Sequence, residues 1–167
     1  RAGLGVLGAS VISHDGSTIA YFANSPGTLL LLDPSDLSTI RSCPIDAYVN
    51  ALAFSPDDKT LYLGSYDLAQ ARKVSDLSLL ASATATGIYQ SLAAVGDSLY
   101  AAMDPFVREL DAANLQLKRE LLNPGCVVEY ETTCGSSSGN PSCSHCSNTF
   151  PFGARYGAVA LMLVPGT

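Results

Sequence analysis

Four of the chain's five cysteines, Cys126, Cys134, Cys143 and Cys146, fall in one segment, with His145 between the last two. Thiolates at C-x-x-C spacing beside an imidazole are zinc-ligand types. The strong zinc signature, however, has two close pairs, and here seven residues separate Cys126 from Cys134. The stretch between them and Cys146 includes Gly135-Ser136-Ser137-Ser138-Gly139-Asn140-Pro141-Ser142 and is poor in large aliphatic side chains. Such a stretch cannot bury a core of its own and needs cross-links to hold a shape. Two disulfides are therefore expected, with no metal, in an oxidising compartment. Three connectivities are open; the favoured ones join Cys143 and Cys146 each to Cys126 or Cys134. A redox role for the C-x-x-C pair lacks the βαβ context that would support it. Cys43 is left over, as a small half-buried side chain of an outer strand or as the partner of a cysteine elsewhere.

Ser13-His14-Asp15 carries the three side-chain types of a nucleophile, a base and an orienting acid. These residues are sequence neighbours, and Ser55-Pro56-Asp57 occupies the corresponding place further on. Proline does there what His14 does here, so both segments read as turns. Asp15, Asp57 and Asp58 read as turn formers for the same reason. Gly3-Leu4-Gly5-Val6-Leu7-Gly8 has the letters of a dinucleotide-binding loop but neither the preceding strand nor the following helix that gives the motif its mechanism. No catalytic residue and no cofactor is assigned.

The elements that hold these residues are set by repetition. Ser13-His14-Asp15-Gly16-Ser17-Thr18-Ile19-Ala20-Tyr21-Phe22 returns as Ser55-Pro56-Asp57-Asp58-Lys59-Thr60-Leu61-Tyr62-Leu63-Gly64, and shortened as Gly96-Asp97-Ser98-Leu99-Tyr100-Ala101. A second phrase travels with the first: Asp36-Leu37-Ser38, Asp76-Leu77-Ser78 and Asn114-Leu115-Gln116. Leu37, Leu77 and Leu115 stand 40 and 38 positions apart. A period in this range with strands inside it marks the blades of a propeller. In the second copy the strands read Val49–Phe54, Leu61–Gly64, Gln70–Val74 and Ser78–Ala83, joined by polar turns, which makes a four-stranded antiparallel blade. Val107–Leu122 has leucines that a helix could gather on one face, but its register with the earlier copies predicts two strands around Asp111-Ala112-Ala113-Asn114.

Ala51-Leu52-Ala53-Phe54-Ser55-Pro56-Asp57-Asp58-Lys59-Thr60-Leu61-Tyr62 resembles the YVTN-type, WD40-like β-propeller repeat, and Thr28-Leu29-Leu30-Leu31-Leu32-Asp33 resembles its next strand. The resemblance covers roughly residues 6 to 122 and is weakest in the third copy. It implies an all-β fold. This repeat type occurs in surface-layer proteins, lactonase-like enzymes and dehydrogenase subunits, so a fold-level likeness does not choose a function.

Three organisational segments follow: propeller blades over 1–125, the disulfide segment over 126–150, and at 151–167 the first strand of a fourth blade around Tyr156–Thr167. Propellers close with four to eight blades, so the sequence reads as part of a longer polypeptide. Apolar residues make up 47% and charged residues 14% of the chain, too apolar for disorder. The longest apolar runs fall far short of a bilayer span, so no membrane insertion is expected. The net charge of −6 comes with scattered basic residues, which excludes the clustered basic stripe of a nucleic-acid binder.

Propellers carry ligand sites on the loops that enter and leave their innermost strands. By register these include Asp46-Ala47-Tyr48-Val49-Asn50 and Gly87-Ile88-Tyr89-Gln90-Ser91. Tyr48, Asn50, Tyr89 and Gln90 are the expected contact residues, an aromatic rim for a protein partner or a glycan. The resulting expectation is a non-enzymatic, extracellular structural or interaction module of a surface layer, matrix or appendage, with protein partners or further copies and blades of the same polypeptide. The alternative is the propeller portion of a lactonase-like hydrolase or quinoprotein-type dehydrogenase whose catalytic residues lie outside this segment.

Overall fold

A computed structural model of the protein describes residues 8–84, 87–103 and 106–122. Within them, twelve strands form three sheets of four, and each sheet takes its strands in chain order. The first blade is β1 (Ser10–Ile12), β2 (Ile19–Ala23), β3 (Thr28–Leu32) and β4 (Thr39–Pro44). The second is β5 (Ala51–Phe54), β6 (Thr60–Gly64), β7 (Leu68–Lys73) and β8 (Leu79–Thr84). The third is β9 (Tyr89–Val95), β10 (Ser98–Met103), β11 (Phe106–Asp111) and β12 (Leu117–Leu122). Every adjacent pair is antiparallel. The region from 107 to 122 is the expected pair of strands, and β5 and β7 each start two residues from their expected positions.

The repeated phrases are the turns. Ser13 and Ser55 each close a loop with three bonds of one pattern. The backbone N–H of the serine donates to the carbonyl of Thr18 or Thr60, the hydroxyl accepts from the same threonine's N–H, and the hydroxyl donates to Asp15 or Asp57. This satisfies the polar backbone locally where the chain reverses. The second phrase closes the β3–β4, β7–β8 and β11–β12 loops, where Leu37, Leu77 and Leu115 take φ of 59°, 60° and 62°. A left-handed leucine costs about 1–2 kcal/mol. Each is held by its N–H donating four residues back, to Asp33, Lys73 or Asp111.

For Leu77 and Leu115 that strain is offset by burial, whereas Leu37 is 60% exposed. Leu77 lies in the apolar cluster between the first and second blades, with Phe22, Leu29, Leu31, Phe54, Leu61 and Leu63. Leu115 lies in the cluster between the second and third, with Tyr62, Tyr89, Leu99, Met103 and Leu110. Strand alternation sorts the second blade's side chains: Leu61 and Leu63 face the blade before, Tyr62, Ala69 and Ala71 the blade after. Strand β5 lies between β1 and β9, so the first strand of each blade is the inner one.

Candidate interaction surface

Antiparallel order places the β4–β5, β6–β7 and β8–β9 connections at one end of the blades and the serine turns at the other. At the first end, residues 45–50 are anchored by two buried apolar side chains, Ile45 and Val49, and by the Ile45 N–H donating to the Gly27 carbonyl at 2.9 Å. Pinning both ends pushes Tyr48 outward. In the β6–β7 hairpin the buried Ser65 donates its N–H to the Leu68 carbonyl at 2.9 Å, and Tyr66 caps the bend.

Two further backbone bonds join these loops. The Asn50 N–H donates to the Gly64 carbonyl at 2.8 Å, and the Tyr89 N–H of the third blade donates to the Ser65 carbonyl at 3.0 Å. Tyr48, Tyr66 and Ile88 therefore flank one stitched point, Gly64-Ser65. They are 61%, 55% and 43% exposed, whereas Tyr89 is 1% exposed. Asn50 and Gln90 are exposed beside them.

Tyr89 is thus not a presented side chain. Its ring is buried against Gly64, where an added Cβ would come within 2.6 Å of the Tyr89 Cβ, and burial pushes its phenol pKa up. Counting back two and three residues from Ala51 and Ser91, which pair with Gly64 and Ala102, sets Val49 against Tyr89, both buried, and Tyr48 against Ile88, both exposed; at this point β9 also shifts register, so that Tyr89 pairs with Met103. The near-periodic tyrosines stand one residue out of step. Tyr66 and Ile88 are the exposed residues that sequence reasoning passed over; the loop position of Ile88, one repeat after Tyr48, was the available signal.

At the opposite end, Asp58 reaches from the second blade to the first. Its carboxylate accepts from the His14 N–H at 2.9 Å and the Asp15 N–H at 3.0 Å, and His14 Nδ1 lies 2.8 Å from Oδ1. Partial burial acts to raise the Asp58 pKa, but the His14 and Asp15 donors outweigh it and hold the carboxyl below its ordinary value. Asp15 and Asp57 are lowered too, Asp15 chiefly by the Ser17 N–H and Asp57 chiefly by the Ser55 hydroxyl. Ser13 donates to Asp15 and His14 turns to Asp58, so the three neighbours form no nucleophile–base pair.

Cys43 is half-buried on β4 and has no disulfide partner among the described residues; Arg72 Nη1 lies 3.6 Å from its sulfur. Cys126, Cys134, Cys143, Cys146 and Tyr156 lie outside the described residues.

No family model and no curated protein matches the chain. Solved structures do. A structure of U3-55K is 17% identical, with a TM-score of 0.64, and the match covers 73% of this chain and 41% of that one. The WD40 repeats of RRP9 match at 17% identity and TM-score 0.64, over 73% of this chain and 40% of that one. Hydrazine synthase of Kuenenia stuttgartiensis matches at 16% identity and TM-score 0.62, over 68% and 35%. The chain thus spans about two fifths of the length of these structures. At such identities the likeness speaks for the fold alone, and an enzyme stands beside WD40 repeats among the matches. Together with the sheet topology, it identifies the described residues as three consecutive four-stranded blades of a WD40-like β-propeller.

Proposed function

We propose that the chain is a non-enzymatic protein-interaction module whose recognition surface is the loop end bearing Tyr48, Tyr66 and Ile88. The observation that carries this is their joint exposure around the stitched Gly64-Ser65 point. Large side chains on loops fixed by a rigid scaffold bury much area at little entropic cost, and tyrosine adds a polar tip. Asn50 and Gln90 supply a polar rim suited to a protein partner. The setting proposed is extracellular, in a surface layer, matrix or appendage, and the clustered cysteines of the 126–150 segment support it.

The test is a photo-reactive residue in place of Tyr66, used to capture the partner from the native source, followed by binding measurements on Tyr48→Ser/Tyr66→Ser. Removing two central aromatic anchors is expected to weaken the captured interaction at least about tenfold, with the thermal midpoint unchanged. Undiminished binding by the double variant would refute the assignment. So would lactone hydrolysis or dye-linked dehydrogenation that a substitution in this segment abolishes.

A further inference from the structure

The two seams between the blades use the same positions and fill them differently. Strand register puts Cys43 in the place of Ala83, Gln70 in that of Arg108 and Arg72 in that of Leu110. In the first seam Arg72 occupies the space beside Cys43. Its Nη1 donates to the Leu77 carbonyl at 2.8 Å and lies 3.6 Å from the Cys43 sulfur, and its Nε donates to the Gln70 side-chain oxygen at 3.0 Å. In the second seam both residues at these places, Leu110 and Ala83, are shorter. A cavity of about 320 Å³ is left there, with Ala83, Leu110, Leu115 and Leu117 as its apolar surface. That volume is in the range of small-molecule sites. Thr84 and Leu117, both exposed, stand at its mouth.

Two polar side chains converge on the same space. Tyr89 is 1% exposed and lines the cavity, yet its hydroxyl has no hydrogen-bond partner among the described residues. The buried Tyr62, by contrast, donates its hydroxyl to the Ala112 carbonyl at 3.1 Å. A buried polar group left unpaired is an exception in folded proteins. Arg108, whose side chain is 15% exposed, also lines the cavity. Its Nε donates to Glu120, its Nη1 lies 3.8 Å from the Met103 sulfur, and its guanidinium stands 6.0 Å from the centre of the Phe106 ring. Nη2 has no partner among the described residues. Burial raises the Tyr89 pKa and the Arg108 charge acts in the opposite sense, so the phenol and the guanidinium are near enough to feel one another.

We propose that this cavity binds a small uncharged molecule with an apolar body and a carbonyl oxygen, the oxygen accepting from the Tyr89 hydroxyl and Arg108 Nη2 and the body lying against Ala83, Leu110, Leu115 and Leu117. Both unpaired groups offer a proton, so the ligand supplies the acceptor. Glu120 already balances the Arg108 charge. A carboxylate ligand would therefore bring an unbalanced negative charge into a largely apolar site, which desolvation penalises. An occupant touches β8 on one wall and the third blade on the other, so binding ties the two blades together and stabilises the folded chain. The site shares no side chain with the Tyr48, Tyr66 and Ile88 surface, and its test does not depend on that reading.

The experiment is a titration of the full 167-residue chain with acetophenone, and separately with toluene and with benzoate, read by NMR at the Ala83, Leu110 and Leu115 methyl groups. Acetophenone is expected to shift these signals saturably. It should bind about tenfold more tightly than toluene, which lacks the acceptor, and than benzoate, which carries the charge. Tyr89→Phe removes the hydroxyl alone, and since that hydroxyl has no partner in the free protein, the melting midpoint should hold. Acetophenone affinity should fall about tenfold in this variant while toluene affinity stays the same. Ala83→Leu puts a larger side chain into the cavity and should abolish binding of all three. No saturable shift at these methyl groups, toluene or benzoate matching acetophenone, acetophenone binding indifferent to Tyr89→Phe, or binding that survives Ala83→Leu would overturn the proposal.

Discussion

Asp58 shows how much one residue can decide in a repeat. The left-handed position of the serine turn is Gly16 in the first blade, with φ of 71°, and Gly96 at the corresponding hairpin of the third, with φ of 57°. In the second it is Asp58, with φ of 55°. A side chain there costs about 1 kcal/mol or somewhat more, and what it brings is a carboxylate that takes three donors from the first blade's turn. The pH dependence follows from the lowered pKa of Asp58. The folded state binds this proton more weakly than the unfolded chain, so the stabilisation is present above the unfolded value of about 3.9 and is lost as pH falls through the folded value. Asn at position 58 keeps the backbone preference and removes the charge. At pH 7 the parent is expected to have the higher urea midpoint, and the two midpoints should converge on acidification below about pH 4. The other lowered carboxyls, among them Asp15, Asp33, Asp57, Asp76 and Glu109, are common to both proteins. Equal midpoints at pH 7, or a constant gap down through the acid range, would show that the bridge contributes nothing.

At the scale of the elements, blade-to-blade contact turns on small residues facing large ones. Gly64 ends β6 where β9 begins, and a methyl group there would stand 2.6 Å from the Cβ and 2.9 Å from the Cγ of Tyr89. Gly64→Ala is expected to destabilise the protein by about 1–3 kcal/mol, the usual cost of overpacking, and to speed amide exchange in β9. An unchanged melting midpoint with unchanged exchange would remove Gly64 from the contact. The blades themselves were legible in the sequence because Ser-x-Asp turns and the Asp-Leu-Ser phrase recur with intact polar chemistry. The conformation of the leucine in that phrase was not, since a branched apolar residue is a poor left-handed former; the turn's own hydrogen bond, from the leucine N–H to the carbonyl four residues back, is what all three copies share. The interaction surface was half legible. Tyr48 could be placed from its loop, but Tyr89 could not be separated from it, because the one-residue difference between exposed and buried positions lies in the strand register. Tyr66 belongs to a hairpin tip that neither repeated phrase touches.

For the whole molecule, two properties of the chain remain to be joined: blades held by apolar burial, and a cysteine-bearing segment expected to be held by covalent bonds. If Cys126, Cys134, Cys143 and Cys146 form two disulfides, thiol titration of the unfolded, unreduced chain should find one reactive group, Cys43, and five after reduction. Loss of one bridge should cost about 2–5 kcal/mol and loosen residues 126–150 before the blades. All five thiols reacting without reductant, or stoichiometric zinc in the purified protein, would replace the disulfides with the rival reading.

The two apolar clusters carry a consequence for how blade number and stability are linked. Each cluster joins blades adjacent in sequence, so the array behaves as links in a row, each contributing its own folding free energy plus that of the seam to its neighbour. A row of blades has one seam fewer than it has blades. A ring has as many seams as blades, so the step that joins the two ends adds a full seam of apolar burial while ordering no additional chain. Closure, rather than any single blade, is then where cooperativity enters: an open row can melt from its ends inward, whereas a closed one has no end from which to begin.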